Sequence, residues 1–202
     1  MARAATPALR RLAAWRPDAA VIFGSGLAAL PEGARVEEEV PYHDLDWPCT
    51  SVPGHLNVLR LACVPRPGAG ELRLALACGR PHRYEGWSDA ELEAPVRGLA
   101  AAGVTRLVLT NSCGALRAGV PVGGAVVCAE VVDLQRPPAS AEPPRLPVCP
   151  AAACARVAAA LDPKGADSAG VYVAVAGPQF ETPAEVAWLA GYGDVVGMSA
   201  AP

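Results

Sequence analysis

Leu72-Arg73-Leu74-Ala75-Leu76-Ala77-Cys78-Gly79-Arg80-Pro81-His82-Arg83-Tyr84-Glu85-Gly86-Trp87 is the stretch on which the reading of the fold turns. The apolar run Leu72 to Cys78 reads as a buried strand. Directly after it come two guanidinium groups, an imidazole, a phenol and a carboxylate within six residues, with Gly79 and Gly86 on either side. Guanidinium forks match phosphate oxygens in bidentate fashion, so Arg80, His82 and Arg83 could neutralise a phosphate. Glu85 follows His82 closely enough to orient its ring. A solvated turn with its charges in water accounts for the same residues, so the rest of the chain has to decide.

Around that stretch lie 202 residues, 52% hydrophobic and 18% charged, which describes a globular chain long enough for one sizeable domain. A formal net charge of −3 with no polybasic run argues against general binding to nucleic acid or a membrane surface. Any phosphate site therefore has to be local. The seven cysteines, Cys49, Cys63, Cys78, Cys113, Cys128, Cys149 and Cys154, contain no C-x-x-C pair. An odd number without zinc spacing argues against a disulfide framework and a structural metal, and a reducing, cytoplasmic location is expected. No stretch is long enough to span a bilayer. Ala2 to Arg16 reads as a first helix, with Ala5, Leu9, Leu12 and Ala13 at helical spacing, in preference to a transit peptide.

Other apolar runs end as the first one does. Ala19 to Phe23 leads into Gly24-Ser25-Gly26-Leu27, where glycines let a backbone approach a ligand and expose amides to an anion. The run through Ala29 also fits a loose dinucleotide fingerprint, but Pro31-Glu32-Gly33 interrupts the helix that such a fingerprint needs. Glu37-Glu38-Glu39 reads as a solvated face, and Tyr42 to Ser51 as irregular. Val52-Pro53-Gly54-His55 precedes a strand over Val58 to Val64, and Pro65 to Gly70 is a hairpin-type loop. Asp89 is placed to cap a helix over Ala90 to Ala102, with Gly103 as its stop. Val104 to Leu109 is a strand ending in Thr110-Asn111-Ser112-Cys113-Gly114. Three strand ends of small, polar residues describe a ligand crevice along the carboxyl edge of an α/β sheet. Later come a strand over Ala125 to Val132, a proline-rich irregular loop over Arg136 to Pro150, and an alanine helix over Ala151 to Leu161. A strand over Ala169 to Val175 runs into Gly177-Pro178-Gln179-Phe180-Glu181, with Thr182 and Pro183 as cap and first residue of a further helix. Val195-Val196-Gly197-Met198-Ser199 is a last strand end.

Taken in order, these motifs resemble the trimeric class of purine nucleoside phosphorylases, over nearly the whole chain. The resemblance implies a single α/β domain over residues 1–202, a twisted mixed β-sheet flanked by helices. It implies reversible phosphorolysis, in which orthophosphate attacks C1′ of a purine nucleoside to give the base and (deoxy)ribose 1-phosphate. Residue by residue, it places Ser25, Arg80, His82, Ser199 and the backbone at Ser112 around phosphate, with His55 supporting that loop and Glu85 orienting His82. Tyr84 and Met198 would meet the ribose, Phe180, Glu181 and Val196 the base, and Tyr172 would line the pocket. No cofactor or metal is implied, orthophosphate being a co-substrate, and the partners are nucleoside, phosphate and, where the C-terminal part is present, two further copies in a homotrimer, with no nucleic acid and no membrane. Arg83 is then read as a surface residue, and Cys113 is not a nucleophile.

A carboxylate only accepts hydrogen bonds, so Glu181 suits the N1–H of hypoxanthine or guanine and faces the bare N1 of adenine unfavourably. The expectation is therefore a preference for inosine, guanosine and their deoxy forms over methylthioadenosine. The resemblance also implies elements beyond Met198-Ser199-Ala200-Ala201-Pro202, including an asparagine that would activate the leaving purine. The expectation is accordingly an incomplete domain, either a fragment or a truncated, impaired enzyme that binds phosphate or nucleoside without turnover. Ala115, Arg117, Ala200 and the stretch Glu130 to Leu134 depart from the family pattern, and Leu146 stands nearest to the phenylalanine that family members lend to a neighbouring subunit.

Overall fold

The computed structural model describes residues 6–66, 68–120, 122–136, 143, 145–161 and 169–199. The chain falls into two compact units, one through Ser112 and one from Cys113.

The first unit opens with helix α1 (Pro7–Trp15), begun by Thr6, whose hydroxyl accepts the Leu9 N–H at 3.2 Å. Pro7 in the first turn has no N–H to leave unpaired. The helix buries Ala8 and Leu12 with Leu9 and Ala13 beside them, the expected stripe; Ala5 lies outside the described residues. Strands β1 (Ala19–Ile22), β2 (Arg35–Pro41), β3 (Val58–Arg66) and β4 (Gly70–Cys78) follow. After the short helices α2 (Asp89–Leu92) and α3 (Ala94–Ala101) comes β5 (Leu107–Leu109). They form one sheet in the order β2-β3-β4-β1-β5. The β3–β4 pair is an antiparallel hairpin running from Val58 opposite Cys78 to Arg66 opposite Gly70, whereas β4, β1 and β5 are parallel.

Alternation along the hairpin sorts its side chains between two cores. Leu74, Leu76 and Cys78 face one side with Ala62. Leu59, Leu61, Ala75 and Ala77 face the other, where the two small alanines leave room for Leu12, Tyr42, Leu45, Trp47 and Leu99. Tyr42 and Trp47 meet edge to face with centroids 5.2 Å apart, and the Tyr42 hydroxyl donates to the Gly79 carbonyl at 2.7 Å.

Four local expectations are corrected here. The acidic run is strand β2, not merely a solvated face: Glu37 accepts from Trp15 Nε1 and pairs with Arg35, Glu38 pairs with Arg11, and Glu39 with Arg60. The helix after Trp87 is capped by Ser88, not Asp89; Ser88 and Glu91 exchange the cap bonds while Asp89 pairs with Arg83. That helix also breaks in two at Glu93, because Pro95 starts a new first turn. Within the stretch read as irregular, Tyr42–Leu45 forms a 3-10 turn.

The second unit contains β6 (Gly114–Ala115), β7 (Val127–Asp133), β8 (Arg145–Pro147), helix α4 (Ala151–Leu161), β9 (Ala169–Ala174), helix α5 (Pro183–Leu189) and β10 (Val195–Gly197). Its sheet has the order β6-β10-β9-β7-β8, parallel across β10, β9 and β7 and antiparallel at both edges. Tyr172, Val173, Ala174, Val195 and Val196 supply its core, joined by Leu116, Val131 and Leu189. Thr182 and Pro183 start α5 as expected, and Glu185 completes a capping box: its carboxylate accepts the Thr182 N–H at 2.7 Å while Thr182 Oγ1 accepts the Glu185 N–H at 3.3 Å.

Two further expectations are revised. Strand β8 lies inside the proline-rich stretch read as irregular, held by pairing to β7. Cys149 and Cys154 are joined in a disulfide, a single pair that the reading against a disulfide framework does not anticipate. The mixed α/β class with flanking helices is borne out, with its strands shared between two sheets. Among the described residues no helix is long and apolar enough to cross a membrane.

Candidate functional site

Because β4, β1 and β5 are adjacent and parallel, their carboxyl ends lie along one edge of the first sheet. That edge carries Gly79-Arg80, Gly24-Ser25 and Thr110-Asn111-Ser112, as the three strand ends predicted. The backbones approach closely: a Cβ on Gly24 would stand 2.5 Å from Asn111 Cα and 2.7 Å from the Thr110 carbonyl oxygen. Gly24 N–H donates to Thr110 Oγ1 at 3.3 Å, and Ser112 Oγ donates to the Ser25 carbonyl at 3.2 Å.

His55 links two of these ends. Its Nδ1 accepts the Arg80 N–H at 3.3 Å, so the neutral ring carries its proton on Nε2, which lies 2.9 Å from Ser25 Oγ. Ser25 Oγ thus accepts from His55, and its own proton is left to point away from the ring. Burial lowers the His55 pKa, the neighbouring His82 and Arg80 lower it further, and Glu85 opposes them.

His82 is almost fully buried, 5% exposed, and faces Glu85 across a 3-10 turn over Arg83–Glu85. Glu85 Oε2 accepts the His82 N–H at 2.8 Å and lies 3.3 Å from His82 Nδ1. The same carboxylate accepts from the Thr50 hydroxyl at 2.8 Å, the Ser51 N–H at 2.7 Å and the Ser51 hydroxyl at 3.0 Å. Burial pushes the Glu85 pKa up, but these hydrogen bonds outweigh it and hold the carboxyl below its ordinary range. His82 is shifted down by burial, with Glu85 pulling the other way, so it is neutral at pH 7. Its Nδ1–H then belongs to Glu85, which makes Nε2 the acceptor nitrogen of the ring. Tyr84 stacks on His82 at 4.9 Å, and His55 meets His82 edge-on at 5.8 Å.

Chemically, this edge offers a serine hydroxyl proton, a half-buried guanidinium, backbone amides and a neutral imidazole acceptor. The cation and donors suit anionic oxygens, and the imidazole Nε2 suits an oxygen that still bears a proton, a combination found on hydrogen phosphate. Of the groups expected around phosphate, Ser25, His55, Arg80, His82 and Ser112 come together here, with Glu85 behind His82 and Tyr84 on its ring. Arg83 pairs with Asp89. Among the described residues no group of three or more His, Cys, Asp or Glu could hold a metal ion.

The second unit has a cavity of about 860 Å³ where the chain leaves β9. Phe180 and Glu181 line it, with Val175, Trp188, Leu189 and Tyr192 among the remaining wall residues. Phe180 is 91% exposed and Trp188 stands edge-on to Tyr192 at 4.9 Å. Glu181 is half-buried and takes no part in the α5 cap, which Thr182 and Glu185 form between them. Of the other expected residues, Met198 and Ser199 follow β10, Val196 lies within it and Tyr172 lies on β9. The Met198 carbonyl accepts from Gln135 Nε2 at 3.3 Å, and the Ser199 N–H donates to the Tyr172 hydroxyl at 3.1 Å. Val196 is 3% exposed, its side chain packed with Leu116, Val173 and Leu189, outside the cavity lining. Tyr172, expected to line the pocket, is wholly buried in the core instead.

Sequence reasoning missed Thr50, Ser51 and Asn57 around the carboxylate, and Gln135, Trp188 and Tyr192 in the second unit. The only signal was position: Thr50-Ser51 runs directly into Val52-Pro53-Gly54-His55, and Trp188 lies on the helix that follows Glu181, with Tyr192 in the turn just past its end.

Comparison with known proteins adds a third line. The sequence pattern of the Phosphorylase superfamily matches residues 18–202. Purine nucleoside phosphorylase 1 of Geobacillus stearothermophilus is 32% identical over 199 residues, covering 92% of this chain and 71% of that protein. Purine nucleoside phosphorylase of Mycobacterium tuberculosis is 35% identical over 189 residues, covering 90% and 67%. Among solved structures, a purine nucleoside phosphorylase in complex with ribose 1-phosphate superposes with a TM-score of 0.72 at 29% identity, over 96% of this chain and 76% of that one. The Schistosoma mansoni enzyme in complex with inosine superposes at 0.68 and 29% identity, over 96% and 72%.

Proposed function

The chain belongs to the Phosphorylase superfamily as a purine nucleoside phosphorylase-type enzyme, and from that premise we propose that its substrates are 6-oxopurine nucleosides: inosine, guanosine and their 2′-deoxy forms. Orthophosphate attacks C1′, the C1′–O bond to phosphate forms as the C1′–N9 bond breaks, and the purine leaves with the bonding pair and takes up a proton. The transition state is loose, with positive charge on the sugar and negative charge on the departing base. The protein's task is to hold phosphate as nucleophile and counter-charge, which calls for donors and a cation and for no serine or cysteine nucleophile.

In this reading Ser25, Arg80, His82 and the Ser112 backbone hold phosphate, with Ser199 assigned to it by the family pattern. The neutral His82 accepts the remaining phosphate proton through Nε2 and Glu85 keeps its other proton on Nδ1. His55 turns the Ser25 hydroxyl outward. Tyr84 and Met198 are assigned to the ribose, and Phe180 and Glu181 to the base. Val196 contributes by setting the backbone at the end of β10. A homotrimer in the cytoplasm is the assembly and location that go with this reading.

The observation that carries the substrate preference is Glu181. The capping work that a first-turn acid would otherwise do belongs to Thr182 and Glu185, and the Glu181 carboxylate lies on the cavity wall beside Phe180. An acceptor-only group pairs with a purine N1–H and leaves adenine's N1 unmatched, which costs about 1–3 kcal/mol, roughly tenfold or more in rate ratio. Release of free base from inosine, guanosine, adenosine and methylthioadenosine in phosphate buffer tests it. Inosine and guanosine are expected to lead, and Glu181→Gln to narrow the ratio of inosine to adenosine by about tenfold. Equal use of adenosine and inosine by the unaltered protein would overturn the preference.

A further inference from the structure

We propose that Asn57 is a positioning residue for this reaction: its side-chain amide holds Thr50 and Ser51 where they fix the Glu85 carboxylate, and through Glu85 the proton of His82. The inference rests on the phosphate role given to His82 above.

Asn57 adopts φ +54°, a left-handed conformation that few residues other than glycine and asparagine enter readily. The bend lets the N–H groups of Leu56 and Asn57 both donate to the Cys78 carbonyl at 2.9 Å, which ties this loop to the end of β4. From there the side chain closes a ring on Thr50: Oδ1 accepts the Thr50 N–H at 3.0 Å, and Nδ2 donates to the Thr50 carbonyl at 2.9 Å. Thr50 thus demands one acceptor and one donor from a single side chain, which a carboxamide supplies and a carboxylate does not. Glycine would allow the bend but leave both backbone groups of Thr50 without this partner. Gly79 completes the fit, because a Cβ there would stand 3.0 Å from Asn57 Oδ1 and 3.1 Å from the Asn57 backbone nitrogen.

The clamp has a chemical consequence. With its backbone fixed, Thr50, 6% exposed, directs its hydroxyl at Glu85 Oε2 (2.8 Å) while accepting the Val52 N–H at 3.1 Å. Ser51 meets the other oxygen with its N–H and hydroxyl at 2.7 and 3.0 Å. A carboxylate held at both oxygens cannot rotate, so Oε2 stays toward His82 Nδ1 and the ring keeps the tautomer whose Nε2 is an acceptor.

Asn57→Gly keeps the bend and removes the clamp; Thr50→Val keeps the backbone and removes the hydroxyl; Thr50→Ser restores it. Two readouts are needed. The first is the ring-nitrogen NMR spectrum of His82, one of three histidines in the chain. It is expected to show a proton on Nδ1 in the unaltered protein and a mixture of tautomers in Asn57→Gly and Thr50→Val, with Thr50→Ser unaltered. The second is steady-state phosphorolysis of inosine, in which both variants raise the KM for phosphate about three- to tenfold with the KM for inosine unchanged. Should Asn57→Gly fail to fold, Thr50→Val decides alone. A parental His82 tautomer in the folded variants overturns the proposal, as does a shifted tautomer with a parental phosphate KM. An unaltered protein that shows no phosphorolysis counts against the functional reading, while the tautomer measurement still judges the clamp.

Discussion

Replacing Glu85 by glutamine exchanges one oxygen for an amide NH2 and removes a charge that is bonded to Thr50, Ser51 and His82. If the amide oxygen keeps the Ser51 N–H and hydroxyl, the new NH2 faces the His82 N–H, the Thr50 hydroxyl and His82 Nδ1, at positions now 2.8, 2.8 and 3.3 Å from Oε2. The hydroxyl can rotate and accept. The backbone N–H cannot, and a buried donor left without a partner costs about 1–3 kcal/mol. For a chain of this length, about 2 kcal/mol lowers Tm by about 4–8 °C. The amine also removes the acceptor that keeps the His82 proton on Nδ1. The ring then favours the tautomer with Nε2–H, which meets a protonated phosphate oxygen donor to donor, and the KM for phosphate is expected to rise about tenfold. Thermal unfolding and inosine phosphorolysis at varied phosphate check the two halves separately. A Tm within about 1 °C of the parent together with a phosphate KM within about twofold would refute the account of Glu85 as the group that orients His82.

Acid should destabilise the first unit in two stages. His55 and His82 have pKa values lowered on folding, so just below their ordinary 6.5 the unfolded chain binds more protons. Their contribution is present above pH 6.5 and is lost as pH falls through the lower folded values; Glu85, also lowered, adds a second loss below the carboxylate range. Unfolding temperature recorded from pH 7.5 to 2.5 would show both, and a flat profile between pH 7 and 5.5 would contradict the neutral, buried histidines. Gly24→Ala should abolish the fold of the edge or the folded protein altogether, since the added carbon meets backbone atoms of Asn111 and Thr110 that cannot give way. Soluble Gly24→Ala with parental Tm and phosphate KM would show that the strand ends are not packed as described.

What the sequence made legible was the set of strand ends. Apolar runs that end in glycine or in polar, backbone-accessible residues carry their own direction, and β4, β1 and β5 lie parallel and adjacent as that pattern requires. What escaped was whatever depends on partners remote in sequence. Strand β2 hides behind Glu37-Glu38-Glu39 because the residues that make it tolerable, Arg11, Arg60 and Trp15, come from elsewhere. The Ser88 cap was obscured by an equally plausible aspartate one residue on, which is engaged by Arg83 instead. Asn57 could not be singled out, because its part depends on a positive φ and on Thr50 across a loop. Tyr172 sits on the expected strand, but the face it presents is the core.

Strand β2 is the outer strand of its sheet, and outer strands offer unpaired backbone groups to any passing chain. Here the approach is fenced by charge: Arg35 bridges Glu37 and Glu71, and Glu38 and Glu39 are tied to α1 and β3 through Arg11 and Arg60. An intruding strand would have to lay its side chains across alternating cations and carboxylates that already satisfy one another. The same lattice that made β2 hard to read thus guards the protein against edge-to-edge aggregation at high concentration, a protection that should weaken in strong salt, where screened charges let neighbouring molecules draw near.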